Sequence, residues 1–290
     1  MSARLRQDVL RLVCSLLTIL AAAVGAGRAV YALTRNPNAP ISFAVYVVAV
    51  VIAVQVAYRL EVRLLEHRRA DEVGIDGAAV GLLRGIGVSL MLAALTFGVL
   101  WLVSVYRVDA LRPARLMIVP LFTAILAGYL EELSVRGVVF RLLEGWVGTW
   151  GTLGLSAGLF GLLHLRNPNA TWAGALSIAV TGGLVLGLAF AITRRIWFGL
   201  GIHAGWNFLQ GGVFGGPVSG IAGTSLLAGT WNGPAWLSGG AFGAEASVVT
   251  VVVGLSIAIA LISRLRHTGQ VRSPIWSTAE ARSSPVRPDD

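Results

Sequence analysis

The chain has 290 residues, of which 56% are hydrophobic and only 13% charged, with a mean hydropathy of +0.76. An average soluble domain carries about 25% charged residues, so this composition excludes a disordered chain and argues against an ordinary soluble globule. The net charge of +9 would point to nucleic acid in a soluble protein. Here the basic residues, all arginine, sit in short segments between apolar blocks, so they read as topology signals and contacts to anionic headgroups, with no nucleic-acid partner.

In chain order the apolar blocks predict eight membrane spans, at about 11–33, 41–58, 79–105, 115–140, 149–165, 172–192, 196–214 and 247–263. The expected fold class is therefore all-α: a polytopic membrane helix bundle of about eight transmembrane helices around an intramembrane polar cavity. The first block follows Arg4, Arg6 and Arg11 and is read as a retained span rather than a cleaved signal peptide. The single cysteine, Cys14, lies inside it and excludes a disulfide framework. The connections divide their arginines unevenly. Arg4, Arg6, Arg59, Arg63, Arg68, Arg69, Arg141, Arg194, Arg195 and the tail arginines from Arg264 to Arg287 fall on one side. Arg35, Arg107, Arg112 and Arg166 fall on the other. That bias places both termini in the cytoplasm, in a multi-pass protein of the plasma (inner) membrane. Residues 1–267 are expected to form one membrane unit and 268–290 a polar, disordered cytoplasmic tail. The Gly-rich connection 215–246, with no Lys or Arg, is expected outside as an interfacial loop.

Charged side chains within spans are costly and therefore usually paired, cavity-facing or functional. This chain concentrates them. The fourth span reads Tyr129-Leu130-Glu131-Glu132-Leu133-Ser134-Val135-Arg136, the fifth carries Phe160 and His164, and the seventh carries His203 and Asn207. At ~100° per residue, positions i and i+4 share a helix face. Glu132 is thus expected to neutralise Arg136, which leaves Glu131 free for another role, and His203 and Asn207 point at one spot. A Glu–Arg pair alone reads equally well as a structural clamp, and a lone buried His more often as packing. Convergence of two acids, two histidines and an amide from three spans favours one buried polar cluster.

Such a set suits hydrolysis. A carboxylate and a histidine facing a wet pocket can hold and activate water, and a second histidine with an amide can donate to a developing oxyanion. The same residues offer a metal alternative: Glu131, His164 and His203 match a catalytic zinc set with an open position. No cofactor is the preferred reading, with zinc as the alternative.

The motifs E-E-x-x-x-R at Glu131–Arg136, F-x-x-x-H at Phe160–His164 and H-x-x-x-N at His203–Asn207 resemble, in order and spacing, the three signatures of the CPBP family of intramembrane proteases, which includes CAAX-type prenyl-protein endopeptidases and bacteriocin-processing or immunity proteins. The resemblance covers about residues 115–210. It implies an eight-span helical fold with a conical cavity open to the membrane. It implies an intramembrane endopeptidase acting on a membrane-associated, in some branches lipid-modified, protein or peptide. Glu131 would activate water with help from His164, His203 and Asn207 would form the oxyanion site, and Glu132, Arg136 and Phe160 would support them. The glutamate-type mechanism is preferred over a metalloprotease. The competing readings are a non-catalytic scaffold or immunity protein and an ion-coupled transporter. The latter usually carries an internal repeat, and none is evident here.

Overall fold

The computed structural model describes residues 3–34 and 39–277. Arg35, Arg282, Arg287 and the tail expected to be disordered from 278 onward lie outside the described residues. The protein is an all-helical, integral-membrane bundle apart from one short two-stranded antiparallel sheet. Helices α1 (Ala3–Leu33) and α2 (Pro40–Leu65) run against each other, pinned by Ser15, whose hydroxyl lies 3.0 Å from the buried Glu61 carboxylate. Helix α3 (Ala78–Leu102) leads into strand β1 (Tyr106–Leu111), and α4 (Ile118–Glu131) runs on through α5 (Arg141–His164). Helices α6 (Trp172–Ile178), α7 (Val185–Thr193) and α8 (Ile196–Asn207) follow. Strand β2 (Leu227–Trp231), the short α9 (Ala235–Ser238) and α10 (Val248–Arg266) complete the chain.

Among the described residues six helical runs are long and apolar enough to cross a membrane: Ala3–Leu33, Pro40–Leu65, Ala78–Leu102, Ala114–His164, Trp172–Thr193 and Val248–Arg266. The difference from eight has a physical basis. The expected fourth and fifth spans are one run broken at Gly148, where φ is 68° and ψ 175°. Glycine is required there twice over, since a Cβ would also lie 2.8 Å from the Arg272 carbonyl oxygen. The expected seventh span is α8, only 12 residues long before its geometry changes. Large apolar side chains on the outer faces of α1, α2, α3 and α10 remain exposed, as lipid-facing helices require.

Helix α8 is the centre of the bundle. It meets α3 at backbone distance: a Cβ on Gly85 would lie 2.4 Å from the Phe198 carbonyl oxygen, and one on Gly201 2.4 Å from that of Leu82. Small residues allow this approach in an environment that supplies no hydrophobic drive between helices. Strands β1 and β2 pair antiparallel, Tyr106 opposite Trp231, with an irregularity between Val108 and Ala110. Tyr106 and Trp231 of this strand pair form one aromatic cluster with Phe97 and Phe214, in which Phe97 and Phe214 stack and the other rings meet edge-on or tilted. The segment 215–246 is thereby folded onto the bundle, and Trp231 packs inside while Trp236 stays exposed.

The arginine-rich connections gather at one end. Arg141 pairs with Glu66 at 2.6 Å, Arg194 with Glu144 at 2.5 Å and Arg272 with the same Glu144 at 3.5 Å. Arg4 donates to the Gly145 carbonyl at 3.0 Å and Trp146 to Asp8 at 3.1 Å. Residues 268–277 are tied to the Gly148 break, with Thr149 N–H donating to the Arg272 carbonyl at 3.0 Å and Arg272 N–H to the Thr149 hydroxyl at 2.8 Å.

Candidate active site

Three helical stretches widen from i→i+4 to i→i+5 bonding: Glu132–Phe140, Ala179–Leu184 and Phe208–Val213. Two of them begin at the sequence motifs, the first immediately after Glu131 and the third immediately after Asn207. Such widened turns recur at functional sites because they re-aim side chains and free carbonyls. Arg136 Nη2 donates to the carbonyls of Gly182 and Gly183, each at 3.2 Å, in the second widened stretch.

Arg136 and Glu132 have no exposed surface. Their ion pair at 2.9 Å is the one expected from the i, i+4 spacing. The Arg136 guanidinium also lies 4.4 Å from the centre of the Phe160 ring, a cation–π contact that gives Phe160 its supporting place. Glu132 has a second partner that the spacing did not indicate. Its Oε1 accepts from His203 Nδ1 at 3.0 Å, so one carboxylate ties the fourth span to α8. Gly199 makes room for this: a Cβ there would come within 2.8 Å of Glu132 Oε2.

The other ring nitrogen of His203, Nε2, stands 3.8 Å from Glu131 Oε2. Glu131 is the more accessible acid, with 38% of its side chain exposed. His164 Nδ1 lies 2.7 Å from the Phe160 carbonyl. A carbonyl only accepts, so Nδ1 carries a proton, and Nε2 is the acceptor whenever the ring holds only that one. Glu131, His164, His203 and Asn207 all line one cavity of about 380 Å³. The fold therefore brings all seven sequence-selected residues together. The one redistribution is that His203, rather than His164, stands next to Glu131. Among the described residues no group of three His, Cys, Asp or Glu side chains is drawn together closely enough to hold a metal ion.

Sequence reading did not select residues of the 215–246 segment, expected outside. Ser219, Ile221 and Thr224 line the same cavity, and Glu245 is buried beside it. A signal was present: Glu245 is the sole ionisable residue in that stretch.

No curated protein and no solved structure matches the chain. One family model does, that of the Rce1-like type II CAAX prenyl endopeptidases, over residues 113–209. The match holds all three motifs and ends just beyond Asn207. Across these residues, α4 to α8, the chain is similar to the Rce1-like endopeptidases of the CPBP family.

Proposed function

We propose that the protein is an intramembrane endopeptidase that hydrolyses a peptide bond of a membrane-associated protein or peptide by the glutamate-type mechanism. The observation that carries this reading is the convergence of Glu131, His164, His203 and Asn207 on one cavity, inside the region that matches the endopeptidase family.

Water held between Glu131 and the acceptor nitrogen of His164 adds to the scissile carbonyl carbon, and Glu131 takes its proton. The oxyanion that forms is stabilised by the Asn207 amide and by His203 Nε2–H. A donor at Nε2 requires both ring nitrogens to be protonated. Nδ1–H is already committed to Glu132, and the carboxylates of Glu131 and Glu132 flank the ring and balance its charge. Glu131 then passes the proton to the leaving nitrogen as the C–N bond breaks, leaving a carboxylic acid and an amine; the acid's remaining proton passes to the amine, giving a carboxylate and an ammonium group. Glu132, Arg136 and Phe160 hold His203 and the widened helix in place. No step is routed through a metal.

The test is cleavage of a membrane-peptide library, with and without prenyl groups, by the purified protein in detergent. Glu131→Ala and His164→Ala should each reduce kcat/KM by at least ~10³-fold with folding intact, and Asn207→Ala by ~10²-fold. Cleavage that survives both of the first two changes refutes the assignment. Activity that is lost to a chelator and returns only with zinc would replace the glutamate-type mechanism by the metal one. Binding of a partner protein without cleavage would favour the scaffold reading.

A further inference from the structure

Glu245 is buried, with 5% of its surface exposed, and the reaction just described does not use it. Its backbone is pinned on one side. Its carbonyl accepts from the Ser177 hydroxyl at the end of α6, and the neighbouring Ala244 carbonyl accepts from Thr250 at 2.5 Å. Its carboxylate reaches the other way, to the turn at 217–220. Oε1 accepts the Ser219 N–H at 2.5 Å, and Oε2 accepts from Gln210 Nε2 at 3.4 Å, whose amide also donates to the Pro217 carbonyl. Burial pushes this carboxyl up to about 7.

Ser219 has a φ of 48°, a left-handed conformation that a residue with a Cβ holds only when its surroundings impose it. Gly220 follows with φ 81° and donates its N–H to the Phe242 carbonyl at 2.7 Å. The strained turn stands at a particular place. Ser219, His164, His203 and Asn207 line both the 380 Å³ cavity and a smaller one of about 50 Å³ that Glu245 also lines. The turn is therefore part of the partition between the two spaces, beside the histidine–asparagine pair.

We propose that Glu245 is a positioning residue of the candidate active site. By gripping the Ser219 amide it holds the 217–220 turn as the wall against which the substrate's peptide lies beside His203 and Asn207. This role rests on the endopeptidase reading. It predicts an effect on substrate binding more than on turnover, because the turn supplies a wall and no reacting group.

The experiment uses the full chain in detergent, with two readouts: hydrogen exchange over residues 215–221, and KM and kcat for a peptide whose cleavage requires Glu131. In Glu245→Ala the Ser219 and Gly220 amides should exchange at least ~10-fold faster, KM should rise ~10-fold and kcat should fall less than ~3-fold. Glu245→Gln keeps an acceptor oxygen for the Ser219 amide and should return both readouts to within ~3-fold of the parent. Should the alanine variant fail to fold, Glu245→Asp carries the test, since its shorter side chain withdraws from Ser219 and should reproduce the faster exchange and higher KM. Exchange in the parent as fast as in the variant overturns the proposal. So does faster exchange with KM unmoved, and so does a glutamine variant as impaired in kcat as alanine, which would make the acid a proton carrier. A parent that cuts no peptide at all sinks the endopeptidase reading and this role with it. A parent and Glu245→Ala that cut equally well sink this role alone.

Discussion

Glu132 accepts from two donors at once, Arg136 on its own helix and the His203 ring on another, with no access to water. A buried ion pair contributes little net stability when compared with an apolar substitute, but breaking it strands a charge. Arg136→Ala is therefore expected to cost about 3–5 kcal/mol and to leave Glu132 unbalanced against His203. The check is thermal unfolding of the detergent-solubilised protein beside its activity. Loss of both is expected, whereas a stable, correctly inserted and inactive variant would give Arg136 a direct part in the chemistry. The pair itself was legible in the sequence because i, i+4 contacts are local. The His203–Glu132 bond was not, because the residues are far apart in sequence and their meeting depends on how two helices are rotated about their axes.

At the scale of elements, the hydropathy pattern anticipated the helices well and their terminations less well. The break at Gly148 and the short α8 both fall within or beside apolar stretches, where hydropathy carries no mark of geometry. The widened turns were equally invisible, since no residue type demands them; packing selects them. The β1–β2 pairing went unforeseen because each strand is short and the two lie on either side of α4 to α8 in the chain. The α3–α8 contact makes a specific prediction. Gly201→Leu drives a side chain into the Leu82 carbonyl, and backbone cannot yield as a side-chain end can. Overpacking of this kind costs about 1–3 kcal/mol in ordinary cores, and the expected effect is at or above that range. Loss of a monodisperse folded species in detergent would register it. A variant as stable as the parent would refute the close approach.

At the scale of the molecule, the connections assigned to one side by their arginines are held together by ion pairs at one end of the bundle. We place that end in the cytoplasm, with the segment 215–246 opposite, and propose the plasma membrane as its location. Impermeant labelling in intact cells of cysteines introduced one at a time at Ala3 and Thr230, in a Cys14→Ser background, tests the orientation, with only the second expected to react. The same end carries a second prediction. Burial would raise the carboxyls of Glu66 and Glu72, but hydrogen bonds outweigh it, from Arg141 and Arg68 to Glu66 and from Arg68 to Glu72. Both acids are held below their ordinary 4.5. A lowered folded value means that the stabilisation is present above the unfolded value and is lost as pH falls through the folded one. Thermal stability should thus decline as pH drops below about 4.5, and Glu66→Gln with Glu72→Gln should flatten that decline. Because Arg68 and Arg141 are partly exposed, salt should weaken the effect. An acid limb that is unchanged in the double variant would place the acid sensitivity elsewhere.

By itself the sequence determined that this is a helical membrane protein, which three stretches carry its intramembrane polar groups, and which family they resemble. Those are matters of composition and local spacing, and each can be read from a short window. The tertiary structure alone decided that His203 lies between the two glutamates and that an acid from the segment 215–246 reaches the site. These depend on helix rotation and on a long connection folding back, quantities set by packing among residues distant in the chain.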